Sequence, residues 1–172
     1  MNHPIYKQLA ALLFFVLLSF SALSQATPLA DMNLKDAEGQ QHSLHEYTQQ
    51  KKWLVMVVWG PKCPACIEEM PVIQMMYDDM DKSRYSVLGL SLDYPSFGYA
   101  KAEQVKAFID DNMLEFPNLL ISADIFHQMG MGRLEGTPTI IIVNPKGEVV
   151  AEQAGIIPRK VIEDFLKKHS QF

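Results

Sequence analysis

The chain has two cysteines, Cys63 and Cys66, separated by Pro64 and Ala65. A Cys-x-x-Cys pair suits thiol–disulfide exchange, soft-metal ligation or a structural staple. A staple gains from closing a long loop, and this spacing closes almost none. Exchange needs one sulfur available as a thiolate and a second close enough to resolve the mixed disulfide. Glu69 follows Cys66 by three residues, which puts it on the same face of a helix. A carboxyl buried there would have its pKa raised toward the range useful for taking a proton from Cys66. Register alone leaves a solvent-facing place equally open to Glu69, and Glu68 reads as an exposed helix carboxylate.

The neighbouring residues show how such a pair would be held. Trp53 to Trp59 is an unbroken apolar run ended by Gly60 and Pro61, the pattern of a buried strand. Ile67 to Asp81 carries apolar residues at helical spacing and reads as a helix that Pro71 should kink. Cys63 therefore falls where a strand hands over to a helix N-terminus, whose free N–H groups and partial positive charge favour a thiolate. In this reading Cys63 is exposed and attacks, while Cys66 is more buried and resolves. Lys62 either lowers the Cys63 pKa further or is an ordinary solvated lysine.

The remaining segments alternate. Asp36-Ala37-Glu38-Gly39 marks a hairpin with Gly39 at positive φ, and Ser43 with Glu46 offers a capping box for a short helix to Gln49. Tyr85 to Asp93 reads as a second buried strand. Lys101 to Asn112 reads as an amphipathic helix facing inward through Val105, Phe108 and Ile109. A short strand at Asn118 to Ile121 precedes a short helix at Asp124 to Met129. Thr139 to Val143 and Glu148 to Glu152 flank an Asn-Pro-Lys-Gly turn and make a hairpin. A last helix from Pro158 to about Lys168 should bury Val161, Ile162, Phe165 and Leu166. The pattern predicts an α/β fold: a mixed central sheet, helices on both faces and an N-terminal β-hairpin.

The chain is 172 residues long, enough for one domain. Its start has one lysine, an apolar run from Leu9 to Leu23, and the small-residue site Ser24-Gln25-Ala26. That is the layout of a secretory signal peptide, with a membrane anchor as the alternative; the apolar run falls short of the ~20 residues a span needs. Residues 1–26 are thus read as a signal peptide and 27–172 as the domain, placing the protein in the periplasm or otherwise outside the cytosol, where a disulfide persists. Fifteen basic against 20 acidic residues give a net charge of −5. The charges are scattered without a basic stripe, which argues against nucleic-acid binding.

With these residues in view, the chain resembles the thioredoxin superfamily, and within it the exported TlpA/ResA-like thiol–disulfide oxidoreductases. Trp59 stands four residues before Cys63, Cys63-Pro64-Ala65-Cys66 resembles the redox motif, Pro71 the proline of the active-site helix, and Gly136-Thr137-Pro138-Thr139 the cis-proline loop. Lys62 departs from the tryptophan common before the first cysteine. Val57 stands where thioredoxin has a buried aspartate, and Glu69 matches the glutamate of the ResA-like branch. The resemblance implies a thioredoxin-like fold and a monomeric reductase of protein disulfides. It implies Cys63, Cys66 and Glu69 as catalytic and Thr137, Pro138 and Trp59 as substrate-side residues, with Trp59 bracing the loop. It implies no cofactor or metal beyond the redox disulfide, a membrane thiol-redox partner, and apo-protein thiols such as cytochrome c haem-site cysteines as targets. One rival is a copper-binding protein of the same fold using the cysteines with the methionines around His127-Gln128-Met129-Gly130-Met131. Another is a peroxidase, disfavoured because Gly60 stands where a peroxidatic cysteine has Thr or Ser three residues before it.

Overall fold

The computed structural model describes residues 27–170, so the expected signal peptide at 1–26 lies outside the described residues. The elements run β1 (Thr27–Pro28), β2 (Asn33–Asp36), β3 (Gln41–Ser43), α1 (His45–Thr48), β4 (Trp53–Trp59), α2 (Pro64–Asp79), β5 (Tyr85–Asp93), β6 (Gly98–Tyr99), α3 (Ala102–Asp111), β7 (Asn118–Leu120), α4 (Ala123–Gln128), β8 (Thr139–Val143), β9 (Glu148–Ala154) and α5 (Arg159–His169). The sheet order is β1-β9-β8-β4-β5-β7-β2-β3, with β6 paired to the end of β5. The pairs β4–β5 and β5–β7 are parallel, whereas β4–β8, β8–β9 and β2–β7 are antiparallel. The result is the expected mixed α/β sheet.

Successive strand residues point to opposite faces, which makes two cores from one sheet. Val55, Val57, Trp59, Ile140 and Ile142 pack with Met70, Ile73 and Met76 of α2, Val105 of α3, and Ile162 and Leu166 of α5. Leu54, Met56, Val58, Ile141 and Val143 pack on the other side with Leu44, Phe126 of α4, Met129, Met131 and Leu134. Both faces of β4 are covered, which is why its sequence shows no polar alternation.

The N-terminal hairpin turns through Gly39 at φ +83°, as its sequence requires. Glu46 accepts the Ser43 N–H at 3.0 Å and Ser43 Oγ accepts the His45 N–H at 3.2 Å, but the residue at the N-cap is Leu44 rather than Ser43. Val161, expected inside, is 56% exposed. It stands a 100° helical step from Ile162 and falls outside the narrow apolar stripe of α5. The strands β1 and β6, of two residues each, are too short to carry a periodic signal.

Candidate active site

Helix α2 begins at Pro64, three residues earlier than the apolar periodicity suggests, because Pro64 supplies a preset φ at the first helical position. Cys63 is its N-cap. The Cys63 N–H donates to Gly60 O at 3.0 Å, and Cys63 Sγ accepts the Cys66 N–H at 3.2 Å. The two cysteines form a disulfide, with Cα atoms 5.2 Å apart. No acidic residue occupies the first turn of α2, so nothing there offsets the helix's positive end at Cys63. Lys62 is exposed.

The peptide bond Thr137–Pro138 is cis, and Thr137 O lies 3.5 Å from Cys63 Sγ. Pro138 O accepts the Gly155 N–H at 2.8 Å, and Thr139 Oγ1 donates to Gly136 O at 2.8 Å. Thr137 Oγ1 is buried without a hydrogen-bond partner among the described residues. Topology brings this loop and the cysteines together across 74 residues, since β8 is the antiparallel neighbour of β4.

Glu69 is 1% exposed and faces inward beside the equally buried Cys66. Its Oε1 accepts the Ile157 N–H at 3.0 Å, while Oε2 is buried without a partner among the described residues. Burial pushes the carboxyl above its ordinary range, and the Ile157 hydrogen bond pulls partly back. Glu68 is exposed. The segment from Gly155 to Ile157 thus touches both Pro138 and Glu69.

Two expectations need correction. The sequence places Cys63 at an exposed helix start, yet it is only 1% exposed. It belongs to the same core cluster as Met70 and Trp59, with the Thr137 carbonyl against its sulfur. The resemblance groups Trp59 with the substrate-side residues, but it is 0% exposed. Its indole N–H donates to Asn118 Oδ1 at 2.9 Å, and its ring packs on Phe108 with centroids 4.8 Å apart. That placement leaves Trp59 no surface for a substrate. Its partner Asn118 is absent from the sequence candidates, although a lone amide in an apolar strand is a signal for a buried hydrogen bond.

The residues of the copper reading do not converge. Met129 and Met131 lie in the core on the opposite side of the sheet from Cys63 and Cys66, and His127 is exposed. Among the described residues, no group of three or more His, Cys, Asp or Glu side chains is placed to hold a metal ion. For the peroxidase reading, a Cβ on Gly60 would lie 2.8 Å from Leu92 O and 3.0 Å from Tyr94 Cβ. The Thr or Ser that reading requires therefore has no room.

Comparison with known proteins agrees with this geometry. Residues 26–152 match the AhpC/TSA family. A thiol-disulfide oxidoreductase ResA from Halalkalibacterium halodurans is 26% identical over 135 residues, covering 78% of this chain and 70% of the relative. A ResA from Geobacillus thermodenitrificans is 26% identical over 164 residues, covering 92% and 88%. Among solved structures, a DsbF homologue from Corynebacterium diphtheriae superposes with a TM-score of 0.71 at 18% identity, over 87% of this chain and 90% of its own. At that identity the superposition speaks for the fold, which is thioredoxin-like.

Proposed function

The chain belongs to the AhpC/TSA family, and from that premise we propose that it is a thiol–disulfide oxidoreductase that reduces protein disulfides outside the cytosol. The observation that carries the reading is the Cys63–Cys66 disulfide at the N-terminus of α2, with Thr137 O 3.5 Å from Cys63 Sγ.

The reaction starts from the dithiol. The Cys63 thiolate, favoured by the helix end and the Cys66 N–H, attacks one sulfur of a substrate disulfide. A Cys63–substrate bond forms, the substrate S–S bond breaks, and the departing thiolate takes up a proton. Glu69 accepts the Cys66 proton, and the Cys66 thiolate attacks Cys63 Sγ. The Cys63–Cys66 disulfide forms and the second substrate thiolate leaves, protonated by Glu69 or by solvent. Two electrons pass from the pair to the substrate. The Thr137 backbone receives an extended substrate segment, and Trp59 holds the end of β4.

A membrane thiol-redox protein restores the dithiol, and the targets include haem-site cysteines of apo-cytochromes. Residues 1–26 serve as the export signal, and the domain of 27–172 acts as a monomer. Among the described residues no helix is long and apolar enough to cross a membrane.

Insulin reduction with dithiothreitol, measured for the parent and for Cys63→Ser, tests the activity: Cys63→Ser should abolish it. The equilibrium with glutathione tests the direction. A potential near about −270 mV fits a reductase, and one near about −120 mV makes the protein an oxidant instead.

A further inference from the structure

Trp59 and Asn118 sit on strands β4 and β7, which are separated by β5. In register, Val57 pairs with Gly89 and Gly89 with Asn118. Gly89 carries no side chain on the face where Trp59 points, and across that gap the indole reaches Asn118 Oδ1 at 2.9 Å. The gap is fully used: a Cβ on Gly89 would lie 1.8 Å from Asn118 Oδ1 and 3.0 Å from Trp59 Nε1. The other end of the amide is also fixed, since Asn118 Nδ2 donates to Phe116 O at 2.8 Å. Asn118 is 7% exposed and Trp59 0%, so the bond is shielded from water. A glycine inside a strand marks such a close approach.

Trp59 ends β4. The next residue, Gly60, is pinned between Leu92 O and Tyr94, and its carbonyl accepts the Cys63 N–H. We propose that Asn118 is a positioning residue for the redox pair: through the Trp59 indole and the space left by Gly89, it sets where β4 stops and thus where the Cys63 turn lies. Asn118 does not touch the cysteines; it acts by holding Trp59. The proposal rests on the reading of Cys63 as the attacking thiol and adds a residue from the far side of β5 to that site.

The test uses the reduced chain and a readout that a purely structural bond would not move. The rate of Cys63 alkylation by iodoacetamide is measured against pH for the parent, Asn118→Val, Trp59→Phe and Asn118→Val/Trp59→Phe, alongside thermal unfolding. Cys66→Ser in every background leaves Cys63 as the thiol observed. Asn118→Val removes the acceptor and is expected to change the rate about fivefold, the scale of one lost hydrogen bond, and to shift the midpoint of the profile. Trp59→Phe removes the donor and should do the same. The double variant should match either single one, because both break one bond. Ser91→Ala removes from β5 a buried hydroxyl that has no hydrogen-bond partner among the described residues and should leave the profile in place. Effects of Asn118→Val and Trp59→Phe that add in the double variant overturn the proposal, as do parent-like profiles in both. Should Asn118→Val not fold, Trp59→Phe still decides, because it must shift the profile. These outcomes are independent of turnover, so failure of Cys63→Ser to abolish insulin reduction refutes the proposed activity and not the brace.

Discussion

Replacing Glu69 by Gln separates the charge of the buried carboxyl from its shape. In the folded chain Glu69 is 1% exposed, with Oε1 held by the Ile157 N–H and Oε2 unpartnered among the described residues. Burial raises its pKa from the ordinary 4.5, against the opposing effect of the Ile157 bond. The folded state therefore binds this proton more tightly than the unfolded chain does. Below pH 4.5 both states are protonated and the associated stability is fully present. As pH climbs through the folded pKa, that stability is lost. A glutamine side chain carries no charge, so Glu69→Gln escapes the loss while an amide oxygen still accepts from Ile157.

The Gln amide leaves an N–H where Oε2 is unpartnered, so the expected gain of Glu69→Gln above the folded pKa is the extra cost that charge adds to a buried unsatisfied group, on the order of 1–3 kcal/mol. With a urea m-value of about 1–3 kcal/mol/M, the midpoint of the oxidised protein should rise by roughly 1 M at the alkaline end of the pH range, above the folded pKa. At about pH 4, where Glu69 is protonated in both states, the variant and the parent should nearly coincide. The oxidised chain is the right material because disulfide cysteines do not titrate. Resolution of a trapped mixed disulfide should meanwhile slow by about 10²-fold or more, as expected when a general base is lost. A stability difference that is constant across this pH range, or that favours Glu at the alkaline end, refutes the reasoning.

His42 should act in the opposite sense. The Asp36 hydrogen bond at 2.9 Å and then Glu46 raise its pKa above 6.5, against partial burial, so its stabilising effect is complete below 6.5 and fades as pH rises through the folded value. His42→Gln should therefore cost about 0.2–1 kcal/mol in acid and almost nothing in alkali; urea unfolding at the two ends checks this, and an equal cost at both refutes it. Gly60→Ala should lower stability by about 1–3 kcal/mol in thermal unfolding, because its Cβ would meet the Leu92 carbonyl at 2.8 Å. Gly132→Ala, with nothing within 4 Å of its Cβ, should stay within about 0.5 kcal/mol.

What the sequence made legible follows from how local each determinant is. The strands at 53–59, 85–93 and 139–143 read at their observed bounds because each is an apolar run cut by turn residues or charge. The start of α2 did not, because Pro64 begins the helix by its fixed φ and contributes nothing to periodicity. Glu69 could be placed near Cys66 by counting, but its burial depends on Ile157, 88 residues away. The contact between Cys63 and Thr137 is likewise set by the pairing of β4 with β8. Gly89, Asn118 and Trp59 form one feature only when β5 lies between β4 and β7, and strand order is not written in any local pattern.

The burial of Cys63 also follows from chemistry that the spacing of residues does not contain. A helix N-cap invites an anion, which is why the sequence suggested an exposed sulfur. A disulfide sulfur, however, is neutral and forfeits little hydration when covered, whereas a buried anion forfeits a great deal. The Thr137 carbonyl 3.5 Å from Cys63 Sγ is therefore an acceptable neighbour for the disulfide. For a thiolate in the same place that oxygen is repulsive, while the Cys66 N–H at 3.2 Å remains attractive. The helix end suits both oxidation states, and the loop suits only one. The covering of Cys63 is thus that of the disulfide form, in which the sulfur faces the Thr137 carbonyl.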